Sequence, residues 1–308
     1  MFSTQLCVYY CHWQPADYVL RNKLDQNNIT MHTKSFLLIL CTLSLFACRK
    51  DDCPNPPPEP VIGSDTAMVQ LKEMSIQRLP SPYYKFTYND SGYITQLVHQ
   101  SGLMFYEPTY AGKRIQKIEV NKNIAADIIK DRLDYEYVNG QVAAIRVVSK
   151  AGVLYRKCVL SFSANQQLQK LQWELDLGAG LLPEQTLTFS YYADGNLKMI
   201  EYHNFAIGPM MENFYTDTYE NYDNKTNVDG FALLHTPLHH PVLLPSVRLQ
   251  LNNPGHVFRT GVLTATFDAR YNYTYDAAGR PLVKSGPLSF KELNGTTGTI
   301  ESVTTHTY

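Results

Sequence analysis

From residue 84 to residue 286 the chain alternates apolar and polar side chains, breaks at a short polar turn, and alternates again, six times over. In Leu187-Thr188-Phe189-Ser190-Tyr191 the apolar residues fall at every second position, as a half-buried strand requires. Ala193-Asp194-Gly195-Asn196 supplies the turn, since Asp-Gly accommodates positive φ cheaply, and Leu197 to Tyr202 is the return strand. The other copies occupy 84–100, 105–120, 133–148, 159–176 and 271–286, with an incomplete one at 214–227.

Each copy reads aromatic-x-aromatic, polar turn, one apolar residue, two variable ones, then a second apolar residue. In five copies the closing pair is Ile94 with Leu97, Ile115 with Ile118, Val142 with Ile145, Leu168 with Leu171, and Leu197 with Ile200. A spacing of three puts two strand side chains on opposite faces. The slip therefore implies either a β-bulge near each turn or a sheet apolar on both faces there. Bulges add twist, and serial twist favours a curled sheet or barrel over a flat one. Thr and aromatic enrichment with Gly turns argues against a helical reading of the same spacing.

Copies start roughly 22 to 30 residues apart, one hairpin per repeat. The expected fold is all-β: an antiparallel meander of repeated hairpins forming a strongly curled sheet or barrel of about 12 to 14 strands, in a single domain spanning 66–308. The closing segment "TIESVTTHTY" is expected to pair with an early strand and close the sheet. The 22 Tyr and 13 Phe against 2 Trp agree with strands, and a formal net charge of −1 gives no footprint for nucleic acid.

The N-terminal part reads as an address. Lys34, the apolar run Phe36–Phe46 and small residues before Cys48 make a secretory signal peptide at 31–47, too short to span a membrane. Leu45-Phe46-Ala47-Cys48 resembles a bacterial lipobox, which makes Cys48 the expected lipidation site and the mature N-terminus. Residues 1–30 then read as an over-extended upstream segment, and the C-x3-C-H of Cys7, Cys11 and His12 has no second ligand pair to make a metal site. Residues 48–65 are the lipidated Cys and a Pro-rich, extended tether. The order Cys48-Arg49-Lys50-Asp51-Asp52 is similar to the lipoprotein export signal of Bacteroidetes, which implies a surface-exposed outer-membrane location; a periplasm-facing one is the alternative. With Cys48 acylated, only Cys53 and Cys158 could pair, and no disulfide framework is indicated.

The repeat breaks at 223–258, and long irregular segments on rigid scaffolds often carry binding. Candidate binding residues there are His235, His239, His240, Asp223, Asn227 and Asp229, with His256 close by. Pro237 and Pro241 prevent the helix on which His235 and His239 would share a metal, and Lys225 stands where a calcium loop wants a ligand, so no metal site is assigned. Pairs such as Glu174 with Asp176 or Asp217 with Glu220 could serve a glycosidase only if folding brought them together. G-x-S-x-G, P-loop and zinc-protease motifs are missing, and no cofactor is implied.

Lipobox, proline tether, Tyr-rich hairpins and the segment "YDNKTN" at 222–227 together resemble a family of Bacteroidetes lipoproteins of unknown function with a porin-like fold, and the hairpins look like YD-type repeats of bacterial surface proteins. The resemblance implies no catalytic residues; Val228 follows Asn227 where the family pattern has Pro and Phe, so that loop is expected to differ. A transmembrane barrel needs outward apolar faces of about 9 to 11 residues, whereas these strands read as shorter and carry Lys85, Lys113, Arg114, Lys117, Glu136 and Lys170. The expected protein is a soluble barrel lipid-anchored to the envelope, a non-enzymatic scaffold or binding module for a glycan, peptide or outer-membrane partner. A polymer hydrolase or a structural assembly subunit is the alternative.

Overall fold

A computed structural model describes residues 70–122, 130–208, 211–228, 232–234, 239–244 and 247–308. The segments 1–30, 31–47 and 48–65, with Cys48, lie outside the described residues, as do Asp229 and His235. The strands are β1 (Glu73–Ile76), β2 (Tyr84–Tyr88), β3 (Ile94–His99), β4 (Met104–Ala111), β5 (Arg114–Lys122), β6 (Lys130–Val138), β7 (Gln141–Val148), β8 (Leu154–Phe162), β9 (Leu168–Asp176) and β10 (Leu181–Tyr191). They continue with β11 (Leu197–Asn204), β12 (Asn213–Tyr222), β13 (Ala232–Leu234), β14 (Val242–Leu244), β15 (Pro254–Val262), β16 (Thr266–Arg270), β17 (Asn272–Tyr275), β18 (Pro281–Lys291) and β19 (Thr297–Thr307).

Each strand from β1 to β12 pairs antiparallel with the next, β12 passes to β15, and the meander runs on through β16, β18 and β19. It then returns to its start, because β19 pairs with β1 from Thr307 opposite Glu73 to Thr304 opposite Ile76. The sheet is a closed antiparallel barrel. Since β16 and β17 are the two halves of one stave, both paired to β18 and parted at Tyr271, the ring has sixteen staves. This exceeds the 12 to 14 read from the repeat. The extra staves include β15, β18 and β19, where Thr, Ser and Gly dilute the apolar alternation that marks the other strands.

The phase slip is a bulge in every copy. Thr87 faces Gln96 but Tyr88 faces Ile94, leaving Thr95 as the extra residue. Gln116, Ala143, Gln169, Lys198 and Leu282 are the extra residues of the other five. One inserted residue restores the phase, so Ile94 and Leu97 both face inward, at 1% and 0% exposure. The alternative of a sheet apolar on both faces is thereby excluded.

The repeated tyrosine has its own task. At the bulge end, Tyr110 Oη donates to the carbonyl of Ile94 (3.0 Å), Tyr137 to Ile115 (2.9 Å), Tyr191 to Leu168 (2.9 Å) and Tyr222 to Leu197 (2.6 Å). Tyr88, Tyr273 and Tyr308 do the same to Leu71, Pro254 and Pro281. Each bond ties a strand to the chain of the element before it. Phe162 holds the corresponding place opposite Leu168 and has no hydroxyl to offer Val142. Phe162→Tyr is therefore expected to raise stability by about 0.5–1.5 kcal/mol, read as a higher urea midpoint at unchanged slope; an unchanged or lower midpoint would show that the staple is not general.

Many outward positions are charged, although Phe214 and Val262 are exposed apolar ones. Lys85 pairs with Glu73 (3.2 Å), Lys117 with Glu119 (2.8 Å), Arg132 with Asp134 (2.7 Å) and Arg146 with Glu136 (3.6 Å), all on the outer face of the wall. Strand length does not distinguish this barrel from a transmembrane one, contrary to the sequence reading, because β10, β18 and β19 each run 11 residues.

The inward face differs between the two halves. From β2 to β11 its side chains pack into one hydrophobic cluster, with Leu97, Ile118, Leu133, Ile145, Cys158 and Leu168 fully buried. On β15 to β19 the inward residues Arg259, Phe267, Tyr271, Tyr273, Lys284 and Ser302 are only partly buried. Val257, Ala269 and His306 of this second wall are buried as well, so it is less deeply covered than the first.

Candidate functional site: the plugged lumen

What seals the first wall is the segment that interrupts the repeat. The apolar run Val242-Leu243-Leu244, at 1%, 1% and 0% exposure, has to be buried, and β13 and β14 pair as a small hairpin that packs it into the barrel's core cluster. Tyr135, inward on β6, receives the amide of Leu243 (3.3 Å) and donates to its carbonyl (3.2 Å), which satisfies the plug backbone in the interior.

Two histidines fix the plug to wall carboxylates. A bulge on β10 between Pro183 and Gln185 turns Glu184 inward, where Arg156 from β8 reaches both of its oxygens at 2.9 Å. His239 donates from Nε2 to the same carboxylate (3.1 Å) and lies flat on Trp173 of β9, ring centroids 4.4 Å apart and planes within 10°. Beside this, His240 Nε2 donates to Asp131 of β6 (3.2 Å), which also accepts from Tyr155 (2.8 Å), while the Tyr106 hydroxyl stands 3.4 Å from His240 Nδ1. The candidate residues His239 and His240 are thus together and internal, each spent on a wall carboxylate.

The charges are set accordingly. Burial alone would raise the carboxyls of Glu184 and Asp131, but the histidine hydrogen bonds and the nearby Arg156 charge outweigh it and hold both below the usual range. Burial drives His239 down to about 4, against the pull of Glu184. Neutral imidazole is the form that fits. Because its folded pKa lies below the unfolded value near 6.5, the unfolded chain binds the proton more tightly, and stability falls as pH drops from about 6.5 toward 4. We expect a loss of roughly 2–3 kcal/mol across that window from this group. His306, also lowered to about 4 by burial and by Lys284, adds to the same slope. Urea midpoints at pH 7 and pH 5 check this: His239→Gln should flatten the difference in part, and an undiminished pH slope would remove His239 from the account.

Asp223 and Asn227 lie elsewhere, at the root of the plug. Asp223 accepts from the amides of Lys225 (2.9 Å) and Asn253 (3.1 Å) and from the Tyr275 hydroxyl, while Asn227 donates to Gln250 and to the carbonyl of Asn252, each at 3.2 Å. They tie the outgoing chain after β12 to the returning chain before β15. Among the described residues no group of three His, Cys, Asp or Glu side chains is placed to share a metal ion. His256 faces outward, between Glu220 (3.1 Å) and Asp268 (3.2 Å). Asp217 and Glu220 occupy opposite faces of β12 and do not converge: Asp217 is buried inward against Arg259, at 2.6 and 2.8 Å.

On the β15–β19 wall Arg259 is also packed over the rings of Tyr215 (4.3 Å) and Phe267 (5.2 Å). A cavity of about 730 Å³ at the same end of these strands is lined from both faces, by Arg259, Phe267 and Phe290 and by Phe258, Asp268 and Ser289 among others. Glu184, Asp131, Arg156 and Trp173 were not anticipated. Phase was the available signal: Trp173 alternates with Leu171 and Leu175, Asp131 with Leu133 and Tyr135, and Arg156 with Cys158 and Leu160.

No family model matches the sequence, and no curated protein matches it. Among solved structures the chain is similar in fold to a porin-like protein from Bacteroides uniformis (14% identity, 73% of this chain and 88% of that one, TM-score 0.46). It is also similar to a porin-like protein from Bacteroides vulgatus (12% identity, 77% and 98%, TM-score 0.49). A weaker likeness, at TM-score 0.30 and 18% identity, covers 70% of this chain and 12% of a chain in the Photorhabdus luminescens Tc holotoxin pore.

Proposed function

We propose that the chain is a β-barrel protein of the bacterial cell envelope, held to the membrane by a lipid on Cys48 rather than by its strands, and that it works as a non-enzymatic binding module. The observation that carries this reading is the division of surfaces. The outer wall bears charged pairs where a lipid-embedded barrel carries an apolar band, and inside, the plug packs against β2 to β11 while several inward side chains of β15 to β19 are only partly buried. A plugged lumen suits holding a ligand better than passing one. The Tyr, Phe, Ser and Thr side chains of the β15–β19 wall offer flat faces and hydroxyls of the kind that take up a saccharide or an extended peptide.

The test is fractionation of cells carrying wild type or Cys48→Ala, with protease shaving of intact cells and bilayer recordings on purified full-length protein. Wild type should be membrane-bound and shaved from outside. Cys48→Ala should be released without detergent, and neither should conduct. Retention of Cys48→Ala in the membrane, or steady conductance, would overturn the reading; protection from shaving would replace surface exposure by a periplasm-facing anchor.

A further inference from the structure

The last copy of the repeat breaks the rule that the others keep. The second apolar position after the turn is Leu97, Ile118, Ile145, Leu171 or Ile200 in five copies, all inward and at most 4% exposed. In the copy at 271–286 that position is Lys284, after Pro281 and the bulge residue Leu282. The side chain keeps the inward direction: Lys284 lies opposite Tyr273 on one side and Thr304 on the other, and its Nζ stands 3.9 Å from the centroid of the Tyr271 ring.

A lysine turned into a barrel normally brings a carboxylate with it, as Arg259 brings Asp217 and Arg156 brings Glu184. Lys284 has none within ion-pair distance among the described residues. The groups that face it are the tyrosines of β17 and its preceding residue, the hydroxyls of Ser302 and Thr304, and His306, whose Nδ1 is buried without a hydrogen-bond partner. Burial lowers the Lys284 amine to about 8, and the pair of buried nitrogens lacks any negative counterpart. Lys284 is partly buried, as are Tyr271, Tyr273, Ser302 and Thr304 around it.

We propose that Lys284 is the anion-recognition point of the lumen, taking an oxyanion group (carboxylate, sulfate or phosphate ester) of the bound ligand, with His306 beside it. This rests on the reading of the lumen as the binding space. A ligand oxyanion supplies the missing counter-charge, and the Tyr271 ring and Thr304 hydroxyl orient it.

The experiment is a pH titration by NMR of the purified full chain labelled with ¹³Cε-lysine, the Lys284 signal being identified by its loss in Lys284→Met. It is run in chloride, then with acetate, sulfate or inorganic phosphate. The signal should titrate near pH 8 in chloride and shift upward by about one unit with at least one oxyanion, a tenfold preference for the charged amine; the arm that acts names the group. An indifferent signal in all three arms overturns the proposal. So does a Lys284→Met protein clearly less stable than wild type, because methionine fills an apolar position and loses only the charge. Oxyanion binding by a protein that conducts in bilayers would sustain the site while refuting the anchored-module reading; no oxyanion effect in a non-conducting, releasable protein would refute the site alone.

Discussion

Gly286→Ala is expected to destabilise the barrel by about 3 kcal/mol, lowering the urea midpoint while the slope stays that of a barrel of the same size. A Cβ at this position would stand 1.8 Å from the carbonyl oxygen of Arg270 and 2.9 Å from its carbonyl carbon. Those are backbone atoms, which cannot turn aside as a flexible side chain would. The close approach occurs where the stave is interrupted between β16 and β17, and there the Tyr271 amide leaves β18 and bonds to Gly255 on β15 (2.8 Å). Glycine lets β18 pass the break at contact distance. A midpoint equal to that of wild type would mean that β16 can retreat at no cost, and would refute the packing argument.

Trp173→Ala is expected to cost about 3–5 kcal/mol, the range for removing a large aromatic from a close-packed interior. Trp173 is 2% exposed and supports the plug directly, through the stacked ring of His239. The loss should therefore appear in two readouts. Global stability falls, and the amide of Leu243, now protected by the Tyr135 hydroxyl, exchanges faster than the wall amides of β6 and β7. Trp173→Phe keeps a stacking face and should recover a good part of both. If stability falls while Leu243 exchange does not change, the plug is held by Glu184 and Asp131 without help from the stack.

Architecture was legible in the sequence because it is written locally. The three-residue spacing from Leu197 to Ile200 implies a bulge, and the register supplies it at Lys198. The Thr-rich end of the chain implies closure, and β19 meets β1. The plug was legible only in part. Reading 223–258 as a functional loop noticed its histidines but not the demand made by Val242-Leu243-Leu244, an apolar run that no exposed loop can satisfy. The partners of those histidines lie far off in sequence, Glu184 55 positions before His239 and Asp131 109 positions before His240. Nothing local encodes such a pairing; only the closed ring brings β6, β8, β9 and β10 around one point. Lys284 was visible throughout as the copy that fails the pattern, but its meaning depends on knowing that the position faces inward.

The seam between β19 and β1 has a consequence for how the molecule comes into being. Apart from β12 with β15 across the plug and β16 with β18 across the divided stave, every other pairing joins strands adjacent in chain order, whereas the seam joins residues 73–76 to 304–307. Contacts of that separation carry the largest share of the loop-closing entropy and form last. Without β19 the meander keeps two unpaired edges, at β1 and at β18. The four pairs of the seam therefore convert a chain of hairpins into a ring without edges.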